Sequence, residues 1–253
     1  MTVPGRLRIV GIGPGGEDWL TKEASRSITE ANDLVGYSAY IDRLPHNGGQ
    51  RRHPSGNGTE LERARHALRL TEEGRDVALI SGGDPGIFAM AAAVFEVLDR
   101  DPRWRGVDIR VCPGISAMQA AAARIGAPLG HDFCVISLSE NLKPWSLIEK
   151  RLLAAASADF VIALYNPASG ARPRRIHDAF ALLREVRAPT TPVVFAHAIG
   201  REDERIVIET LGATDPGLAD MSTLVLIGSS RTRLIPRKGA APFVYTPRGT
   251  KDF

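Results

Sequence analysis

The sequence predicts an α/β protein of two domains, with a parallel sheet in the first and a mixed sheet in the second. Three observations predict it. In the first half, short apolar runs end in glycine-rich loops and lead into helix-forming stretches, and that repetition means a parallel sheet. In the second half, successive strands follow one another across short connections, which makes the sheet mixed. Between the halves, Gly126-Ala127-Pro128-Leu129-Gly130 is a helix end followed by turn residues. It sets expected domains of 1–125 and 126–253.

Leu7 to Val10 form the first expected strand, which runs into Gly11-Ile12-Gly13-Pro14-Gly15-Gly16. The loop comes close to the dinucleotide fingerprint G-x-G-x-x-G. Pro14 breaks the usual helix entry, however, and helix signals begin only at Thr21, as N-cap of Lys22 to Glu30. The second strand, Asp33 to Tyr37, ends in Gly-Tyr where a ribose-binding acid belongs. Asn47 to Gly58 reads as a polar loop, after which Thr59 and Glu62 stand at capping-box spacing for a helix to about Glu73. Val77 to Ile80 is a short buried strand that stops at Gly82-Gly83-Asp84-Pro85-Gly86, followed by an apolar helix from about Ile87 to Leu98. Glycines there allow close backbone approach, and ligands of open α/β sheets bind outside the carboxyl ends of strands. Asp84 fits two readings, a ligand to hydroxyls or an amine and a helix N-cap. Val107 to Val111 is a further strand, closing at Pro113-Gly114-Ile115-Ser116-Ala117 before an alanine-rich helix to about Ile125.

The second half reads as a strand from Phe133 to Leu138, a helix from Trp145 to Ala156, and an apolar strand from Phe160 to Leu164 that ends in Tyr165-Asn166-Pro167. A basic loop, Arg172 to Arg175, leads into a helix to about Val186. Pro192 to Ala196 ends at His197 and pairs with Arg205 to Thr210, and Thr223 to Ile227 is the last expected strand.

Composition is that of a globular protein: 253 residues with 32 basic and 29 acidic side chains, net +3. No run approaches the 18 apolar residues of a membrane span. The start turns glycine-rich after a few apolar residues, which reads as a first strand and not as a signal peptide. The reading is therefore cytoplasmic. Cys112 and Cys134 lack metal-type spacing and read as buried thiols in a reducing compartment. From Arg231 onward the bases Arg231, Arg233, Arg237, Lys238, Arg248 and Lys251 face only Asp252. Duplex binding asks for a broader basic face, so this tail reads as solvated charge, with no nucleic-acid and no membrane partner.

Set together, GIGPGG at 11–16, VGYSAYID at 35–42, SGGDPGIFAMAAAVFE at 81–96 and PGISAMQAAAARIGAPLGHDF at 113–133 resemble one family. So do ISLSENLKPW at 136–145, ALYNPASGARP at 163–173, GREDERI at 200–206 and MSTLVLIGSS at 221–230. The segments are similar to the tetrapyrrole methyltransferases of the class III fold, and within them to the branch that methylates C-17 of precorrin-3B in cobalamin synthesis. LGHDF, LKPW and YNP are the segments most specific to that branch. The resemblance covers the chain from Leu7 to about Arg248.

What the resemblance implies is a homodimer of two α/β domains with S-adenosyl-L-methionine folded into the cleft between them and S-adenosyl-L-homocysteine as product. It implies that the cofactor touches Pro14, Gly83, Asp84, Ile87, Phe88, Ser116 and Ala117, and then Leu164, Tyr165, Asn166, His197, Ala198, Thr223 and Leu224. The first loop, with Gly13 and Gly15, borders the tetrapyrrole instead of cradling phosphates. Arg51, Arg52 and Arg172 are candidate partners for the acetate and propionate carboxylates of precorrin-3B, against the alternative of solvated charge. The catalytic acid or base is open, with His46, Tyr37 and Glu140 as candidates beside His53 and Tyr40. The resemblance is closer to the oxygen-dependent branch, and two cysteines cannot supply the four ligands of an iron–sulfur cluster. Metal-free precorrin-3B, contracted to precorrin-4, is the expected reaction. A cobalt-containing substrate of the oxygen-independent route, or another tetrapyrrole methylation, is the alternative. A nucleotide-dependent oxidoreductase lacks its acid after the second strand. A non-catalytic binding module has no need of so many small-residue loops at strand ends.

Overall fold

A computed structural model describes residues 5–168 and 174–249. The chain divides into two compact units, 1–116 and 117–253. The division falls ahead of the turn at 126–130, because the alanine-rich helix packs on strands of the second unit.

In the first unit the order is β1 (Arg6–Gly11), α1 (Lys22–Glu30), β2 (Asp33–Tyr37), α2 (Ser38–Ile41), β3 (Arg51–Ser55), α3 (Glu60–Glu72), β4 (Val77–Ser81), α4 (Met90–Arg100) and β5 (Asp108–Cys112). The five strands make one parallel sheet ordered β3-β2-β4-β1-β5. All five therefore end at the same edge. Side chains alternate across a strand, and β1 shows it. Leu7 and Ile9 join Val35, Leu79, Leu68 and Val94 in a core beneath α3 and α4. Val10 and Ile12 join Ala24, Ile28, Ile41 and Ile80 on the opposite face. Burying each such large aliphatic side chain contributes about 1.5–3 kcal/mol. The Thr21 hydroxyl accepts from the Ala24 amide at 3.0 Å, the expected N-cap of α1.

Three expectations for this unit are corrected. The polar loop at 47–58 contains β3, whose residues RRHPS pair in parallel with β2. As an edge strand it tolerates Pro54 and needs no apolar run. The capping box is not formed, since Thr59 makes no side-chain cap and its hydroxyl donates to the Gly56 carbonyl at 3.1 Å. Finally, α4 starts at Met90 and not Ile87, because Phe88 has φ 52°, which a helix cannot contain.

A chain of polar groups ties β3 to its neighbours. Asp33, fully buried, accepts from His53 Nε2 at 2.8 Å and from the Arg75 guanidinium. His53 Nδ1 lies 3.0 Å from Nε2 of His66 on α3. Burial, then the neighbouring His53 and Arg69, push the His66 pKa below its ordinary value, against the opposing pull of Asp33 and Glu73. A base whose folded-state proton affinity is depressed takes its proton more readily when unfolded. Its contribution is complete above about pH 6.5 and is lost as the pH falls. The urea midpoint is expected to drop between about pH 7 and 5, and His66→Gln to flatten that drop; an equally steep profile in the variant would clear His66 of the effect.

The second unit runs α5 (Ala117–Ile125), β6 (Gly126–Ala127), β7 (Phe133–Ser137), α6 (Trp145–Ser157), β8 (Val161–Tyr165), α7 (Arg175–Val186), β9 (Pro192–His197), β10 (Arg205–Thr210), β11 (Thr223–Ile227), β12 (Arg233–Arg237) and β13 (Ala240–Tyr245). Its main sheet is ordered β10-β9-β11-β8-β7. β7 and β8 are parallel, and β11 runs antiparallel to β8 and β9. β10 in turn is antiparallel to β9. Consequently β7, β8 and β9 end where β10 and β11 begin. Under α6 and α7 lies one core, with Leu152, Phe180, Leu164, Phe195 and Val225. The Phe180 and Phe195 rings stack at 6.0 Å.

The expectation that Thr223 to Ile227 is the last strand is likewise corrected. Residues 233–245 form a hairpin whose second strand pairs with β6 in a small sheet. Arg237 lies 4.0 Å over the Phe243 ring and donates to the Ala241 carbonyl at 2.6 Å. Every residue of β12 is exposed, so no burial pattern marked it. Cys112 is buried and Cys134 half-buried, both free, and burial pushes the Cys134 thiol up. Among the described residues no helix is long and apolar enough to cross a membrane.

Candidate active site

In the first unit, three loops at the carboxyl edge of the sheet are stitched together through their glycines. Gly13 and Gly83 exchange backbone hydrogen bonds at 3.2 and 3.0 Å, both with positive φ. A Cβ on Gly114 would stand 2.1 Å from the Gly83 carbonyl oxygen and 2.9 Å from the backbone of Gly11. Only glycine permits that approach. Asp84 locks the arrangement: Oδ1 accepts from the Gly86 amide at 2.8 Å, and Oδ2 from the Gly114 amide at 3.1 Å. It does not cap α4, whose N-cap is Ala89, so the capping alternative is set aside. Ile87 and Phe88 follow in the same turn, with Phe88 53% exposed. Thr21 donates to the Pro113 carbonyl at 3.3 Å, tying the third loop to the start of α1. Pro14 is half-buried, Gly15 buried, and Ser116 buried just after the third loop, where the first unit ends.

In the second unit, the ends of β7 and β8 are joined in the same manner. Asn166, with φ 52°, donates from Nδ2 to Ser137 Oγ at 2.9 Å. The Leu138 amide donates to the Tyr165 carbonyl at 2.9 Å. The Tyr165 hydroxyl accepts from the Met118 amide at 3.0 Å, one of the donors that the first turn of α5, begun by Ala117, leaves open. At the end of β9, His197 Nδ1 lies 3.2 Å from Asp220 Oδ1, and Nε2 lies 3.4 Å from Asp203. The Thr223 hydroxyl donates to Asp220 at 2.7 Å. Burial alone would raise the Asp220 pKa, but the Thr223 hydroxyl, the Ser222 amide and His197 outweigh it and hold the carboxyl below its ordinary value. Ala198 has φ 48°, Leu224 is buried at the start of β11, and Leu164 is buried in β8.

Among the described residues four non-glycine residues have positive φ: Phe88, Asp159, Asn166 and Ala198. Three of the four sit in these loops. Strained backbone of this kind costs on the order of 1–3 kcal/mol and clusters where ligands are clamped.

The polar candidates fare differently. Arg51 and Arg52 open β3, at the amino edge of the sheet and away from the loops. The Arg52 guanidinium donates to the Ile41, Leu44 and Pro45 carbonyls at 2.9, 3.0 and 2.5 Å, so its charge is committed to the chain itself. Arg172 lies outside the described residues. Glu140 accepts from Arg175 at 2.5 and 3.0 Å, and Arg175 also holds Asp178 and lies 4.7 Å over the Trp145 ring. That ion pair engages both carboxylate oxygens of Glu140. Tyr37 ends β2 edge-on to Tyr40, with ring centroids 5.3 Å apart, and His46 is exposed. His53 belongs to the Asp33 chain. The hollow bounded by Arg6, Arg8, Glu30 and Asp76 lies at the amino edge, where Arg6 and Asp76 pair at 2.5 Å. Sequence reasoning missed Ser137, Asp220 and Arg43, whose guanidinium donates to the Gly15 carbonyl. The Asp220 side chain accepts from the backbone two residues on, as aspartate does in an Asx turn, here closed by the Ser222 amide at 2.9 Å.

Residues 6–215 match the tetrapyrrole (corrin/porphyrin) methylases. Over 96% of both chains the protein is 52% identical to a precorrin-3B C(17)-methyltransferase of a Sinorhizobium species. It is 41% identical to a probable cobalt-factor III C(17)-methyltransferase of Salmonella typhimurium, covering 96% of this chain and 98% of that one. Among solved structures, the methyltransferase CobJ superposes with a TM-score of 0.91 at 47% identity, over 96% of this chain and 100% of CobJ. A uroporphyrin-III C-methyltransferase of Thermus thermophilus in complex with S-adenosylhomocysteine shares the fold, with a TM-score of 0.66 at 24% identity over 88% of this chain and 97% of that one. With the family match over most of its length and two linked α/β units of the same fold, the chain belongs to the tetrapyrrole methylases and is a methyltransferase.

Proposed function

We propose that the protein methylates precorrin-3B at C-17 with S-adenosylmethionine and contracts the ring to precorrin-4, in oxygen-dependent cobalamin synthesis. The observation that carries the reading is the 52% identity, end to end, with a precorrin-3B C(17)-methyltransferase, against 41% for the cobalt-factor III relative. A cytoplasmic homodimer belongs to the same reading, on the resemblance of the sequence.

S-adenosylmethionine supplies a methyl group on a sulfonium, ready for attack by an electron-rich carbon. What the chain supplies is position, which in ideal cases lowers a barrier by about 7–11 kcal/mol. Gly83 lets the backbone approach, and Asp84 fixes that backbone against the Gly114 loop. The turned residues Phe88, Asn166 and Ala198 direct their side chains out of the regular strand and helix paths. His197 is oriented through Asp220, as a carboxylate orients an imidazole by accepting its N–H. Pro14, Ile87, Ser116, Ala117, Leu164, Tyr165, Thr223 and Leu224 complete the proposed cofactor contacts, with Gly13 and Gly15 toward the tetrapyrrole. Tyr37, His46 and Glu140 are the acid–base candidates for the contraction step.

Asp84→Ala is expected to weaken S-adenosylhomocysteine binding about tenfold, or ~1.4 kcal/mol, by releasing the Gly86 and Gly114 amides. Asp84→Asn, which keeps one acceptor, should lose less. Calorimetry giving equal affinities for wild type and Asp84→Ala would strip Asp84 of that role. The reaction itself is tested by incubating the enzyme with precorrin-3B and S-adenosylmethionine, and in parallel with cobalt-factor III. Mass spectrometry should find a methylated product from the first substrate. Turnover of the cobalt compound alone would move the protein to the other route.

A further inference from the structure

We propose that Arg43 is the substrate-carboxylate contact of the first unit, in place of Arg51 and Arg52. The proposal rests on the tetrapyrrole reading above and specifies one of its contacts. Arg43 is exposed, yet its guanidinium is tethered to the carbonyl of Gly15, in the loop that follows β1. The backbone beneath it is fixed from several sides. Ile41 and Leu44, two residues before it and one after it, are 1% and 6% exposed and anchored in the core. The Arg43 amide donates to the Tyr40 carbonyl at 3.3 Å. The Tyr40 ring covers Gly82, where an added Cβ would come within 2.6 Å of Tyr40 Cζ. Arg52 reaches across from β3 and binds the carbonyls of Ile41, Leu44 and Pro45. The cation that was expected at the substrate is thus the brace, and the residue it braces stands at the glycine loop.

An arginine on open surface surrenders side-chain freedom when it is fixed. One already tethered surrenders less, which is the advantage of preorganisation. A guanidinium presents five N–H donors in a fork that matches a carboxylate. In the proposed reaction the tetrapyrrole brings several acetate and propionate groups toward the GIGPGG loop. Arg51, exposed at the amino end of an edge strand, serves as the control.

Binding is measured with uroporphyrin III, a stable tetrapyrrole of the same carboxylate class, by fluorescence titration of wild type, Arg43→Ala, Arg43→Lys and Arg51→Ala. S-adenosylhomocysteine is titrated by calorimetry on the same proteins. The Kd for uroporphyrin III should rise about tenfold or more in Arg43→Ala and less in Arg43→Lys, with a shallower salt dependence in Arg43→Ala. It should not change in Arg51→Ala, and S-adenosylhomocysteine affinity should stay within about twofold in all four. An unchanged Kd for uroporphyrin III in Arg43→Ala overturns the proposal. So does a parallel loss of both ligands, which would make Arg43 a support for the loop only. Turnover of precorrin-3B by the wild type is scored separately, so a failure of the reaction assignment is distinguished from a failure of Arg43.

Discussion

Gly114→Ala is expected to lower the unfolding free energy by about 3 kcal/mol and to abolish measurable S-adenosylhomocysteine binding. The added methyl would stand 2.1 Å from the Gly83 carbonyl oxygen and 2.9 Å from Gly11 Cα, and all of those neighbours are backbone. No flexible side chain can swing aside. Relief therefore requires the third loop to move away from the second, which breaks the Asp84 to Gly114 hydrogen bond at the same time. Gly16→Ala is the control, because nothing lies within 4 Å of its Cβ position. It should stay within about 0.5 kcal/mol of wild type. Urea unfolding together with calorimetry checks both, and a Gly114→Ala protein as stable as Gly16→Ala would refute the close packing of the loops.

Asp33→Ala should cost a similar amount, about 3 kcal/mol, at the opposite edge of the same sheet. Its side chain has no exposure and is engaged by His53 at 2.8 Å and by Arg75. Removing the carboxylate strands two donors at once. His53 and Arg75 are 26% and 21% exposed and can recruit water, which keeps the cost at the low end for a broken buried pair. Asp33→Asn fills the same volume and can still accept, and is expected to fall between wild type and alanine. Equal urea midpoints for wild type and Asp33→Ala would show that β3 is held by its backbone pairing alone.

The strands that carry the core were legible because burial on both faces writes an unbroken apolar run, as in Val77 to Ile80. β3 and β12 were not, because an edge or exposed strand has no face to bury: RRHPS and RLIPR carry the composition of loops. Ile87-Phe88-Ala89 misled in the other direction. Three apolar residues beside a helix look helical, but hydrophobicity does not report the sign of φ, and Phe88 turns the chain instead. The glycine loops of the site were readable, since small residues at strand ends have few other uses. The arginines were not. Arg52 donates to three backbone carbonyls and Arg43 to that of Gly15, and carbonyls have no letter in a sequence. The ion pair of Glu140 was hidden for a related reason: its partner Arg175 lies 35 positions away and meets it only through the fold.

The most direct measurement of the proposed activity follows the methyl group. The enzyme is incubated with precorrin-3B and S-adenosylmethionine carrying a 13C-labelled methyl, and the product is examined by 13C NMR. The account predicts one labelled methyl attached to C-17 of a ring-contracted product, with S-adenosylhomocysteine formed in equal amount. Label at a different ring carbon, or none in the tetrapyrrole while cobalt-factor III is methylated, would contradict it.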